Sequence, residues 1–417
     1  DHENTGKQRV SLAERILTTL RVPDLPYSVG QGAVAETVWP ALLKQAWESQ
    51  SASSVIDLMR AQLQPWQVRQ VNAGFLADRM MDMFLRKSGL HVTLVERAAR
   101  LRFWLAWRLY LQGEAALAET AGIPAWGRLL ERLQGWSDSG GRSARPVLEK
   151  LDALIAELLP GFDNPECDPL AGFVAEWQRE LDAQQERLVR LEQRLLDTEV
   201  GAARQRAADQ RARALVGRAV QGRQLPPQVL GFIEKRWQPL LRQLALEQGI
   251  SSDGWRHAGR VLEWLVWSTS PGLADRDMEK LYQVGEQLTD KIAEVWARAT
   301  QQPLPNEDLH ALQTLLVTRI RGGRLDVVAA PPQPYDADCL VPPDEERVAA
   351  LKGWVGHWFV LGEGVQEQRR LLFAWIEETR EVLWTNGSGV RVGVSPMDDV
   401  LQEIERRQLR PMPTAVG

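Results

Sequence analysis

The sequence predicts a mainly α-helical protein: a multi-helix bundle with one long coiled-coil-like helix and a small β-barrel at its C-terminal end. Three observations predict this. Apolar residues recur at three- and four-residue steps over most of the chain up to about residue 320, the period of an amphipathic helix. One stretch after Phe173 keeps that period in heptads without interruption. Beyond the Gly-, Pro- and Asp-rich segment 322–346 the pattern changes to short aromatic and β-branched runs, the mark of strands.

Residues 1–160 read as an N-terminal helical domain, because Pro and Gly fall mostly between the periodic segments. Leu12, Ile16 and Leu20 form one stripe; Val38, Leu42, Leu43, Ala46 and Trp47 the next; Val55, Ile56, Met59 and Leu63 a third. Pro65 is expected to open the following helix, whose stripe includes Val68, Val71, Phe75, Met80, Met83 and Phe84. The Ser/Gly-rich segment Ser137 to Arg145 is expected to be a loop, and the proline-rich run Pro160 to Pro169 a domain boundary.

Residues 170–223 are expected to be a single heptad helix with a basic end. Trp177, Gln184 and Leu191 occupy one heptad position and Leu181, Leu188, Leu195 and Ala202 the other, a seam for self-association or for an internal helical hairpin. Its end carries Arg204, Arg206, Arg211, Arg213, Arg218 and Arg223 against Asp209. Such a surface suits phosphates or an acidic partner. It lacks interleaved aromatic residues, and charge runs most often mark a solvated face, so nucleic acid is not the favoured partner.

A second helical block, 224–321, follows Pro226 and Pro227, with an apolar face of Val229, Phe232, Ile233, Trp237, Leu240, Leu241 and Leu244. The segment 322–348 has the composition of a Pro-rich linker. In the C-terminal module, 349–417, strand-like runs fall at Trp354 to Leu361, Arg370 to Ile376, Glu381 to Thr385 and Val390 to Val394, before a helix from about Pro396 to Arg407.

Composition narrows the function classes. At 417 residues, 44% of them hydrophobic, the chain can fill two or three packed cores. A charged fraction of 25% and a net charge of −5 announce neither a nucleic-acid-binding protein nor an acidic tail. Cys167 and Cys339 share no ligand spacing, so the expected compartment is a reducing cytoplasm, with no disulfide framework and no metal. No apolar run is long enough to span a membrane; the helix around Phe103, Trp104 and Trp107 is flanked by Arg100, Arg102 and Arg108 and is expected in a core. The start at Asp1 is read as that of a fragment with preceding sequence missing, not as a signal peptide. Only eight of the 50 basic residues are lysine, which with the abundant Ala and Leu suggests a bacterial source. The 17 tryptophans mostly sit at helical spacings with other apolar residues and are expected in cores.

No catalytic constellation is legible. His2, His91, His257, His310 and His357 are scattered, and there is neither an HExxH nor a GxxxxGK[ST] motif. Gly387, Gly389 and Gly393 link predicted strands, as a hairpin turn would; Asn386 stands where GxSxG around Ser388 would need glycine. Glu377 and Glu378 fall at a strand end, where paired carboxylates are commonly solvated.

Two stretches resemble a proteobacterial family, Domain of Unknown Function 1631. One is LPPQVLGFIEKRWQPLLRQLALEQG with WRHAGRVLEWLVWSTSP, residues 225–249 and 255–271; the other is the run from Trp354 to Val392 with its Ala-Trp-Ile and Asn-Gly signatures. The C-terminal region is also similar to a divergent PilZ-type barrel, the fold with which bacteria sense cyclic di-GMP. In that family an RxxxR segment precedes a [DN]xSxxG turn. Here Asn386 and Ser388 match the first turn positions, Arg391 stands in place of the glycine, and Arg369 and Arg370 precede the turn. The resemblance implies cyclic di-GMP as a ligand, with these five residues as contacts, and no other cofactor.

The function expected from this reading is that of a non-enzymatic regulatory or adaptor scaffold in a bacterial cytoplasm, working through protein–protein contacts of its helices and PilZ-like module. Its alternatives are a cyclic di-GMP receptor and, third, nucleic-acid binding by the basic helix.

Overall fold

In the computed structural model, residues 38–62, 66–118, 121–136 and 144–412 are described. The Leu12, Ile16 and Leu20 stripe, Leu63, Pro65 and the loop residues 137–143 lie outside them. The chain forms two compact units. One comprises the described residues up to Leu195 together with Leu351–Trp375 and the described residues from Val382 on; the other is Leu196–Ala350 with Ile376–Glu381.

The first unit begins with α1 (Val38–Glu48), α2 (Val55–Ala61), α3 (Val68–Ser88), α4 (Val92–Ala99), α5 (Leu101–Gln112), α6 (Gly122–Arg132) and α7 (Arg145–Leu158). Local chemistry sets their ends. Ser54 Oγ accepts from Asp57 N at 3.1 Å at the start of α2, and Gly89 closes α3 in the left-handed region, φ 61°. The carboxylate of Asp78 on α3 accepts from Val55 N (2.9 Å) and Ile56 N (3.0 Å) and lies 3.3 Å from Arg102, so a buried acid of one helix caps another. Burial nevertheless raises the Asp78 carboxyl above its ordinary value. Helix α5 is apolar on nearly every side, which suits only a central position, and Leu101, Phe103, Trp104, Leu105, Ala106 and Trp107 are all buried. The expectation that its tryptophans are core residues holds.

Helix α8 (Leu170–Val220) supplies its first part to this unit and its second part to the other. In the second unit Ala208, Ala212, Leu215 and Val216 pack with α9 (Pro227–Phe232), α10 (Gln238–Glu247), α11 (Asp253–Thr269), α12 (Met278–Thr300) and α13 (Asn306–Ile320). Alanines on the long helix let neighbours approach closely. A π-helical turn, Ile233–Trp237, joins α9 to α10 just before Pro239, which has no N–H to give the helical ladder. Side-chain oxygens cap the starts of α11 and α12: Ser252 Oγ accepts from Trp255 N and Asp277 Oδ1 from Lys280 N.

The proline-rich segment after α13 is laid along this unit. Strand β2 (Val328–Ala329) pairs antiparallel with β1 (Gln224–Leu225), and Ala330 N donates to Arg223 O at 3.0 Å. The Tyr335 ring seats on Gly217, where a Cβ would meet it at 2.5 Å. Helix α14 (Glu345–Lys352) follows.

The C-terminal strands are β3 (Trp358–Leu361), β4 (Gln368–Ile376), β5 (Glu381–Thr385), β6 (Arg391–Pro396) and β7 (Arg410–Pro411), with α15 (Met397–Glu405) between the last two. They form one antiparallel sheet in the order β6-β5-β4-β3-β7. This corrects the expected closed barrel, and the sheet gives the PilZ-like architecture no support. The sheet stays open, because α15 carries the chain from β6 back to β3, where Phe359 pairs with Pro411, and the two edge strands do not meet. Along β4, Leu372 and Ala374 are buried while Phe373 and Trp375 are half-buried, the alternation of a one-faced sheet. Phe359 and Trp384 meet edge to face beneath it at 5.7 Å.

Candidate functional site

In the first unit a groove of about 560 Å³ runs between α8, the end of α6 and the sheet. Its walls include Trp136, Leu181, Leu188, Leu191, Trp358 and Leu371, with Arg187, Glu192 and Ser388 among the polar groups. The turn after β5 builds one wall. Asn386 Oδ1 accepts from Ser388 N (2.9 Å) and Val390 N (3.0 Å), and Gly389, at φ 73°, brings the backbone against a methyl of Leu188. Burial beside this wall pushes the Glu192 carboxyl up.

The seam residues on α8 separate into two groups. Trp177 is buried against the helical core and stands edge to face with Phe173 at 6.3 Å, and Leu181 packs on the same core. The heptads were expected to serve self-association or an internal helical packing; the first of them is covered by the protein's own helices, which bury its apolar side chains. Further along, Leu188 and Leu195 are half-buried and Leu191 is 52% exposed, beside Val189 at 55%.

The five residues suggested as nucleotide contacts have different surroundings. Arg369 and Arg370 are neighbours on β4 and therefore leave it on opposite faces. The Arg369 side chain, only 6% exposed, donates to the carbonyl oxygens of Gly89 and Gln134 and bonds Glu367 Oε2 at 3.2 Å. Burial pushes its guanidinium pKa down, with Glu367 opposing that shift. Arg370 lies over the Trp384 ring at 5.3 Å; burial lowers its pKa too, against the pull of Glu403. Asn386 and Ser388 hold the turn, and Arg391 is exposed on edge strand β6. Only Ser388 of the five lines the groove.

The basic stretch of α8 is largely paired in the second unit. Arg204 meets Glu378 at 3.3 Å, Arg206 meets Glu381 at 3.1 Å, Arg211 donates to the Glu378 carbonyl at 3.5 Å, and Arg213 pairs with Asp209 at 2.6 Å. The acids of the 376–381 turn are thus partners of arginines far away in sequence. Arg218 has a different setting, among Arg223, Arg260 and Lys280. Sequence reading named Arg218 and Arg223 but missed Arg260 and Lys280, which join them from distant helices and carry no spacing signal.

His91, buried at the start of α4, contacts Thr93 and the Glu367 carbonyl. Among the described residues no three His, Cys, Asp or Glu side chains gather as a metal site would require, and Cys167 and Cys339 are free thiols. No helix among the described residues is long and apolar enough to cross a membrane.

The fold and these surfaces define a mainly helical protein with a small open sheet, whose accessible features are grooves and charged helix faces. Residues 198–319 match the family model described as "Protein of unknown function (DUF1631) third domain". That span begins on α8 and takes in α9 to α12 and nearly all of α13, including the motifs at 225–249 and 255–271. No curated protein and no solved structure matches the chain.

Proposed function

We propose that the protein is a non-enzymatic adaptor of the bacterial cytoplasm that acts through protein–protein contacts, beginning with association of two copies along the open part of α8. The observation that carries this reading is exposed Leu191 on the same helix face as half-buried Leu188 and Leu195, three residues before it and four after. An adjoining groove offers further apolar wall. Charge supports a second copy as the occupant. Glu186, Glu192, Asp197 and Glu199 interleave with Arg187, Arg190 and Arg194, so two such helices complement one another.

Light scattering during size-exclusion chromatography is the test. The wild-type protein should elute as a dimer, and Leu191→Glu as a monomer with an unchanged far-ultraviolet spectrum, because the position is half open. A wild-type protein that stays monomeric at high concentration rejects the association.

Cyclic di-GMP should give no heat in a calorimetric titration. Arg369, whose side chain is almost wholly buried, is engaged by two carbonyls, and Arg370 faces the other side of the sheet. Specific binding would instead make the protein a messenger receptor.

A further inference from the structure

In the second unit the end of α8, the middle of α11 and the start of α12 frame a groove of about 490 Å³. Arg218 reaches it from the end of α8, Arg223 from the turn that follows that helix, Arg260 from α11 and Lys280 from α12, against the single carboxylate of Glu263. Four cations thus face one acid on a chain whose net charge is −5. All four cations are exposed. Among the described residues no carboxylate pairs with the guanidinium of Arg218, Arg223 or Arg260, whereas Arg204, Arg206 and Arg213 on α8 each have one. The groove's positive charge is therefore not neutralised from within.

Its apolar part is a pair of half-buried tryptophans one turn apart on α11. Trp264 and Trp267 stand edge to face, centroids 5.7 Å apart at 87°, and the Lys280 ammonium lies 4.9 Å and 5.6 Å from the two ring centres.

We propose that this groove binds an acidic segment of a partner protein in which carboxylates alternate with apolar side chains. Carboxylates match the arginine forks, and aliphatic or aromatic side chains match the tryptophan pair. Two observations favour a peptide over a nucleic acid. Lys280 already occupies the indole faces on which bases would stack. The net-negative chain would also repel a long polyanion beyond the groove, where a short segment feels only the local cations. Binding here does not depend on self-association along α8.

The test uses the full chain and a fluorescein-labelled synthetic peptide of Glu, Asp, Leu and Phe residues, read by fluorescence anisotropy. The peptide should bind, and its Gln/Asn counterpart should not. The double charge reversal Arg218→Glu with Arg260→Glu alters two exposed side chains, so the circular dichroism spectrum should be retained while affinity falls about tenfold or more. Arg260→Gln alone should give a smaller loss of the same sign. Failure of the acidic peptide to bind, or binding indifferent to the double reversal, overturns the proposal. So does a single-stranded oligonucleotide that binds more tightly than the peptide and is lost in the same variant.

Discussion

Gly161→Ala should destabilise the first unit by about 3 kcal/mol, the upper range for overpacking a well-filled core. Gly161 lies in the short 3₁₀ turn Leu159–Phe162 that follows α7. A Cβ built there would overlap the Trp104 ring and stand 2.7 Å from the Cys167 carbonyl oxygen. Neither obstacle yields easily. Trp104 is fully buried and meets Phe162 edge to face at 5.5 Å, while the Cys167 oxygen belongs to the backbone. The Gly161 carbonyl also accepts the Trp107 indole N–H at 2.8 Å, so retreat of the turn would strain that bond. Small size is what the position demands. Urea unfolding followed by tryptophan fluorescence measures the effect; a midpoint equal to wild type would show that the turn can move aside freely.

Arg369→Ala should have an effect of similar size, about 3 kcal/mol, because hydrogen bonds from a charged group are worth roughly 1.5–3 kcal/mol each and are not additive. One guanidinium binds the Gly89 and Gln134 carbonyls and Glu367, tying β4 to the ends of α3 and α6. Truncation leaves two carbonyls without this donor. Burial of the charge already disfavours the arginine, which is why the net loss stays well below the sum of the bonds. Arg369→Lys should recover only part of it, since an ammonium cannot reproduce the planar fork. Hydrogen exchange on residues of β3 and β4 should rise in Arg369→Ala. Unchanged exchange and unchanged unfolding would show that the sheet is held without this side chain.

Much of the helical architecture was legible because burial and helical period are coupled in one dimension. The stripe Val229, Phe232, Trp237, Leu240, Leu241 and Leu244 is buried as its spacing requires. The runs after residue 354 contain the strands, although the first begins only at Trp358 because residues 353–356 turn, and the Asn386 to Gly389 sequence makes the turn after β5. Failures arose where the outcome depended on distant parts of the chain. The heptads of α8 are uniform in sequence, yet Trp177 meets a core and Leu191 meets solvent. Four or five short strands are compatible with a barrel or an open sheet, and the position of β7 beside β3 decides between them. Adjacent arginines 369 and 370 look alike in sequence, but strand alternation gives one to backbone carbonyls and the other to Trp384.

By itself the sequence determined the helical class, the long helix, the succession of C-terminal strands and the absence of a recognisable reactive motif, since each rests on local periodicity or spacing. Only the tertiary structure decided which apolar and charged residues remain available. It covered part of the α8 seam, paired Arg204 and Arg206 with the acids of a remote turn, and gathered Arg218, Arg260 and Lys280 around two tryptophans. Exposure and charge pairing are properties of what packs against a residue, and the chain brings those neighbours from far along its length.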